Sequence, residues 1–213
     1  MNTKQSMVLA SASALAAGTA QGAVISSGPL NLQQTYSSAN YRQGVSIVTG
    51  GGTNDFTFGF EAGANKPYID ARTYVGTDVA YQSGIVSLLT KPNTGLPVTT
   101  PGTMINAAYA ATYPAIPAGR AYMASDGNNT LGDWSTSATT DAFVGIELSF
   151  SGGTSYGWLH LVDDPIAQTL TLEDWAYEST PGVGILTTIV PEPSALALGG
   201  LGMAALLGLR KRD

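Results

Sequence analysis

Few side chains in this sequence are equipped for chemistry. It has one histidine, His160, and no cysteine. Any nucleophile–base arrangement therefore has one imidazole to draw on. Alternation along SYGWLHLV (155–162) puts His160 on the strand face of Tyr156 and Trp158. It reads there either as a base beside aromatics or, preferably, as a strand residue facing a surface or interface. No nucleophile elbow and no phosphate loop is present. A glycosidase would need two carboxylates, and the candidates are Glu147, on the polar face of its strand, with Glu173, Asp174 and Glu178, near a presumed bulge. Thirteen acids lie between residues 24 and 190, so some pairing is inevitable and carries little weight. Trp134, Trp158 and Trp175 are of the type that stacks on sugar rings, although such residues more often fill a core. Calcium needs only oxygen ligands, and Asp126, Asn128, Thr130 and Asp133 share one loop, with Asp163-Asp164 on another. The first loop is not an EF-hand, because Leu131 stands where that loop needs glycine. The expectation is no catalytic centre, no cofactor and no metal. Asp126, Asn128 and Asp133 remain the calcium candidates, and the three tryptophans the glycan-stacking candidates.

The elements that would position these residues read as strands. Phe56, Phe58 and Phe60 recur at every second position, which predicts a half-buried strand with three core aromatics. Residues 68–75 and 85–89 alternate in the same way. Pro and Gly mark 91–103 as loop. Ala107 to Thr112 can begin a helix that Pro114 and Pro117 must end. The strongest organisation lies at 141–178. Val144, Ile146, Leu148 and Phe150 share a face, Gly152-Gly153 makes a hairpin turn, and two further strands follow. In the last of these the large residues shift phase, from Leu170 and Leu172 to Trp175 and Tyr177. A bulge near Glu173-Asp174 would produce that shift.

Residues 1–23 read as a signal peptide. Lys4 supplies the positive charge, 7–17 the apolar stretch, and Ala20, Gly22 and Ala23 the small residues of a cleavage region. The body that follows, 24–190, has five Lys or Arg against thirteen Asp or Glu, a net charge of −8. Such a surface repels nucleic acid. Without disulfides the body must be held by its core, which about 165 residues can supply. At the far end, 195–209 carries no charge and no hydrogen-bonding side chain. As a helix it spans roughly 22–24 Å, short against a bilayer core of about 30 Å. Arg210, Lys211 and Arg212 would lengthen it by snorkelling and hold their end in the cytoplasm. Pro191-Glu192-Pro193 precedes it as an extended, protease-accessible segment.

Pro-Glu-Pro, a short apolar span and an Arg-Lys-Arg end, in that order over 190–213, resemble the PEP-CTERM sorting signal. The resemblance implies processing by an exosortase, a membrane cysteine protease. It also implies delivery of the body to the surface or extracellular matrix of a bacterium that makes exopolysaccharide. A second, smaller resemblance rests on Tyr156-Gly157-Trp158 and Ala176-Tyr177-Glu178 within 143–185. These are similar to a β-rich extracellular region of PEP-CTERM proteins, which implies a β-sandwich and no catalytic residues.

The expected architecture is all-β, an antiparallel β-sandwich of jelly-roll or lectin-like kind, with an N-terminal signal helix and a single C-terminal transmembrane helix. The expected boundaries are 1–23 signal peptide, 24–180 extracellular domain, 181–190 linker and 191–213 sorting signal. The expected partners are signal peptidase and exosortase during maturation, the inner membrane transiently, and exopolysaccharide or other matrix components. The expected role is structural or adhesive. The alternative is a glycan-binding or glycan-cleaving module.

Overall fold

The computed structural model describes residues 23–36, 42–47, 55–61, 66–71, 74–75, 78–79, 86–91, 95–116, 119–123 and 132–188. Residues 1–22 of the expected signal peptide (1–23) and the expected sorting tail 191–213 lie outside them, and with them the expected signal and transmembrane helices. No helix among the described residues is long and apolar enough to cross a membrane.

The described residues are β-rich, 56 % strand with one short helix, and the strand ladders are antiparallel. The elements are β1 (Val24–Ser26), β2 (Leu32–Thr35), β3 (Arg42–Val45), β4 (Phe56–Phe60), β5 (Pro67–Asp70), β6 (Tyr74–Val75), β7 (Asp78–Val79), β8 (Val86–Leu89) and β9 (Met104–Ile105). Next come α1 (Ala107–Thr112), β10 (Ala115–Ile116), β11 (Arg120–Tyr122), β12 (Thr140–Phe150), β13 (Gly153–Asp164), β14 (Thr169–Glu178) and β15 (Ile185–Leu186). A seven-stranded sheet has the order β1-β14-β13-β12-β8-β10, with β2 also on β14. A four-stranded sheet has the order β11-β5-β4-β3. Neither closes on itself.

The meander β12-β13-β14 is the longest feature, and its register follows from local chemistry. Phe150 pairs with Gly153, leaving a two-residue loop at Ser151-Gly152. Gly153 has φ +126°, a conformation open chiefly to glycine. On the other side of β13, His160 pairs with Asp174 but Leu161 pairs with Leu172, so Glu173 is the extra residue of a bulge. That bulge turns Leu170, Leu172, Trp175 and Tyr177 all into one core, as the phase shift in the sequence requires.

This main core joins the two larger sheets. Phe56, Phe58, Phe60 and Ile69 come from the four-stranded sheet, and Val144, Ile146, Leu159, Leu161 and Leu172 from the seven-stranded one. A smaller core lies on the opposite face of the large sheet. There Leu89, Phe143, Tyr156, Trp158 and Ala176 are covered by Ile105, Ile185, Tyr109 and Tyr113. The covering layer is α1 with the two-stranded β9–β15 ladder. Asn106 caps α1, its side chain accepting from the N–H groups of Ala108 and Tyr109. Within the stretch expected as linker, residues 185–186 pair with 104–105, and Thr187 donates from its N–H to Thr103 O at 2.9 Å.

Two glycines let these layers approach. A Cβ on Gly145 would lie 2.9 Å from the Tyr109 ring of α1. A Cβ on Gly157 would lie 2.6 Å from the Ala176 carbonyl oxygen and 2.8 Å from Tyr177 Cβ. The second clash is with the backbone of the neighbouring strand, which cannot swing aside. Gly157→Ala is expected to lower stability by about 1–3 kcal/mol, read as a fall in the chemical denaturation midpoint. An unchanged midpoint would show that β13 and β14 can part at no cost.

Candidate functional site

Three strands converge on the single histidine. On β13, alternation sends Tyr156, Trp158 and His160 to the outer face, towards the smaller core. The directly opposed residues are Phe143 on β12 and Asp174 on β14. Asp141, two residues before Phe143 on β12, reaches the ring diagonally. His160 is buried to 8 % relative exposure. Its Nδ1 lies 3.0 Å from Asp174 Oδ1, and its Nε2 lies 2.7 Å from Asp141 Oδ1. Phe143 stacks on the imidazole at 4.6 Å between centroids and 14° between planes.

A neutral imidazole has one N–H and would turn a lone pair towards one of the carboxylates. The imidazolium donates to both. Burial alone disfavours that charge, but hydrogen bonds from the ring to Asp174 and Asp141, and attraction to their charges, outweigh it and raise the pKa of His160 above its ordinary value. Both ring nitrogens are committed to carboxylates, and neither points at a serine or threonine hydroxyl. The group acts as a cross-strand tie among β12, β13 and β14.

His160→Gln is expected to lower stability by about 1–3 kcal/mol in mildly acidic solution, because Asp174 is left half-satisfied where it is buried. The deficit should shrink as pH rises through the elevated pKa of His160, since the wild-type contribution is present below its ordinary value near 6.5 and lost above the raised one. Denaturation series across pH 5–9 measure this. A deficit that grows with pH would contradict the ion-pair reading.

The other expected site residues have different fates. Trp134, Trp158 and Trp175 are 3 %, 0 % and 3 % exposed. Trp134 and Trp175 belong to the main core and Trp158 to the smaller one. All three are buried between packed layers. Among the acids, Glu178 is buried and its Oε1 accepts from the Thr180 N–H at 2.9 Å. Burial raises the pKa of half-buried Glu147. Of the calcium candidates, Asp126 and Asn128 lie outside the described residues, whereas Asp133 forms a salt bridge with Lys91. Among the described residues no group of three or more His, Asp or Glu is arranged to hold a metal ion. Ala23 is described and already joined to the fold. Its N–H donates to Ser179 Oγ at 3.1 Å, and the Ser179 N–H donates to its carbonyl at 3.1 Å. Ala20 and Gly22 of the cleavage region, Pro191, Glu192 and Pro193, and Arg210, Lys211 and Arg212 lie outside the described residues.

Two features of this region escaped the sequence. Asp141 was not expected as a partner of His160, because a turn centred on Gly152-Gly153 sets Val162 opposite Phe143; the observed loop at Ser151-Gly152 shifts the register by two and brings His160 opposite Phe143, with Asp141 diagonal to it. Asp163 is the other. It follows Leu159 and Leu161 on the core face of β13, is 1 % exposed, and neither carboxylate oxygen has a hydrogen-bond partner among the described residues. Burial, with the adjacent charge of Asp164, pushes its pKa up to about 7.

No curated protein and no solved structure matches the chain. Residues 190–212 match the family model described as the PEP-CTERM protein-sorting motif. That motif is the recognition signal of exosortases, and its presence here implies an exported protein targeted to an exosortase.

Proposed function

We propose that the processed body is a structural or adhesive component of the cell surface or extracellular matrix, with no catalytic centre. Its fold is read as a β-sandwich of jelly-roll or lectin-like kind, the two larger sheets enclosing the main core. The observation that carries this reading is the sorting motif at 190–212, joined to a body whose three tryptophans are buried in its cores. Support against a catalytic role comes from the one imidazole, engaged at both nitrogens by carboxylates. Support against the glycan-binding alternative comes from the three buried tryptophans. Exopolysaccharide remains a proposed matrix neighbour, bound through contacts other than indole stacking.

The chain is proposed to pass through the inner membrane and be held there by 195–209. It then loses its tail at Pro191-Glu192-Pro193 and passes to the outside. Mass spectrometry of the surface fraction should find the body peptides and none containing Arg210. Recovery of the Arg210 peptide in that fraction would refute removal of the tail. Changing Pro191, Glu192 and Pro193 to alanine should leave the body in the membrane fraction. Glycan-array binding with hydrolysis of polysaccharide by the processed protein would overturn the non-catalytic role.

A further inference from the structure

The layer formed by α1 and the β9–β15 ladder covers the smaller core with one face and presents the other to solvent. We propose that this outward face lies against the phospholipid surface of the inner membrane while the precursor is tethered. The inference rests on the tethered-precursor reading above and adds an orientation to it.

Position comes first. Leu186 of β15 pairs with Met104 of β9, and Thr188 is the last described residue. Ala195 opens the apolar stretch seven residues later. Seven residues reach at most about 25 Å, so the point where the chain leaves the body stays near the bilayer. Composition comes second. There is no charged residue between Lys91 and Arg120, nor between Glu178 and Glu192. These two stretches supply the whole covering layer, in a body with a net charge of −8. An acidic surface is repelled by anionic lipid over a Debye length of about 10 Å. The uncharged side is the one that approaches at least cost. Exposure comes third. Met104 and Leu186 are 43 % and 46 % exposed and are two of four large exposed apolar residues among those described. Ala107, Ala108 and Ala111 of α1 are exposed beside them.

Alanine and two aliphatic side chains give little free affinity for lipid. The tether supplies the rest, because a linker this short holds the face at an effective concentration in the millimolar range. Once the tail is cut that advantage ends and the body leaves. The contact is therefore built to last as long as the precursor does.

The absence of cysteine allows a direct test. Ala108→Cys places one thiol on the proposed face. Ile166→Cys places one on the β13–β14 turn, where Ile166 is 79 % exposed and lies beyond His160 along the strand. Both positions are exposed, so neither change strains the fold. The full chain is reconstituted into anionic phospholipid vesicles containing no other protein and reacted with a membrane-impermeant maleimide. The same variants are labelled as processed protein released by the producing cell. The expected result is that the 108-to-166 rate ratio falls several-fold on vesicles relative to the released form. An equal ratio in both forms, with the chain floating with the vesicles, overturns the orientation while leaving the tether intact. Failure to float with vesicles overturns the tether reading itself. Protection of residue 108 that appears only when exosortase is added overturns lipid as the occupant.

Discussion

Trp158→Ala is expected to destabilise the body by about 3–5 kcal/mol, the cost of truncating a large buried aromatic. A typical domain has a total stability of about 5–15 kcal/mol. Trp158 is fully buried beneath the covering layer, edge-on to Phe143 at 5.0 Å between centroids and 86° between planes. Its indole N–H donates to the Leu186 carbonyl at 3.0 Å. Truncation opens a cavity between the large sheet and the layer, and it leaves that carbonyl without its donor. Two effects should separate. Trp158→Phe keeps most of the packing and loses the hydrogen bond, at about 1 kcal/mol. Trp158→Ala should also make the β15 segment and α1 the first sites of limited proteolysis, since the small core is what holds them. A loss below that of Trp158→Phe would mean that the layer is secured by something other than this indole.

The second large effect belongs to Asp163, and its direction depends on pH. The carboxylate is buried without a hydrogen-bond partner among the described residues, between Thr140 and Leu170 of the neighbouring strands. Its pKa rises from 3.8 to about 7. The folded state therefore holds a proton that the unfolded state has already released across that interval. Stability falls as pH climbs from about 4 to about 7 and levels off above. A shift of this size corresponds to up to about 4 kcal/mol. His160 adds a change of the same sign at higher pH, because its pKa is also raised. The body should thus be more stable in mildly acidic than in alkaline solution. Asp163→Asn keeps the shape, removes the titration and should flatten the profile below pH 7. Asp163→Val should raise the alkaline plateau as well, since it relieves the burial of charge. Unfolding free energies measured at pH 4.5, 6, 7.5 and 9 decide the matter. A wild-type profile that rises between pH 4.5 and 7.5 would contradict the unpartnered carboxylate.

The meander was legible because it carries its own evidence. The Gly152-Gly153 pair marks the turn to within one residue of the observed Ser151-Gly152 loop, alternation assigns the faces, and the shift from Leu172 to Trp175 announces the bulge. The three phenylalanines of β4 were legible for the same reason. Their strand is buried on both faces, however, with Thr57 at 1 % exposure, and alternation reports only the more apolar face. The helix at Ala107–Thr112 was legible from its composition and the prolines behind it. The covering layer was not. β9 and β15 are two residues each and 80 residues apart in sequence, and pairing so short and so distant leaves no periodic trace. The expected run 68–75 divides into β5 and β6, which belong to separate sheets.

The candidate site was legible only in part. His160 was placed on the correct face, but its partners depend on register across two ladders, and only one of those has a turn that fixes it. The tryptophans illustrate the opposite limit. Their type suits sugar stacking and core filling equally, and only the third dimension decides between them.

The pairing of β1 has a consequence for the order of events during export. Ala23 and Ser179 are 156 positions apart and joined by hydrogen bonds in both directions. Strand β1, directly behind the expected signal peptide, thus has no strand to join until nearly the whole body has emerged. Contacts this distant form late, since loop closure must be offset before they contribute. A chain threaded from its N-terminus therefore cannot close its large sheet early and jam the passage. The topology that places β1 and β2 beside β14 makes completion of the large sheet a late event.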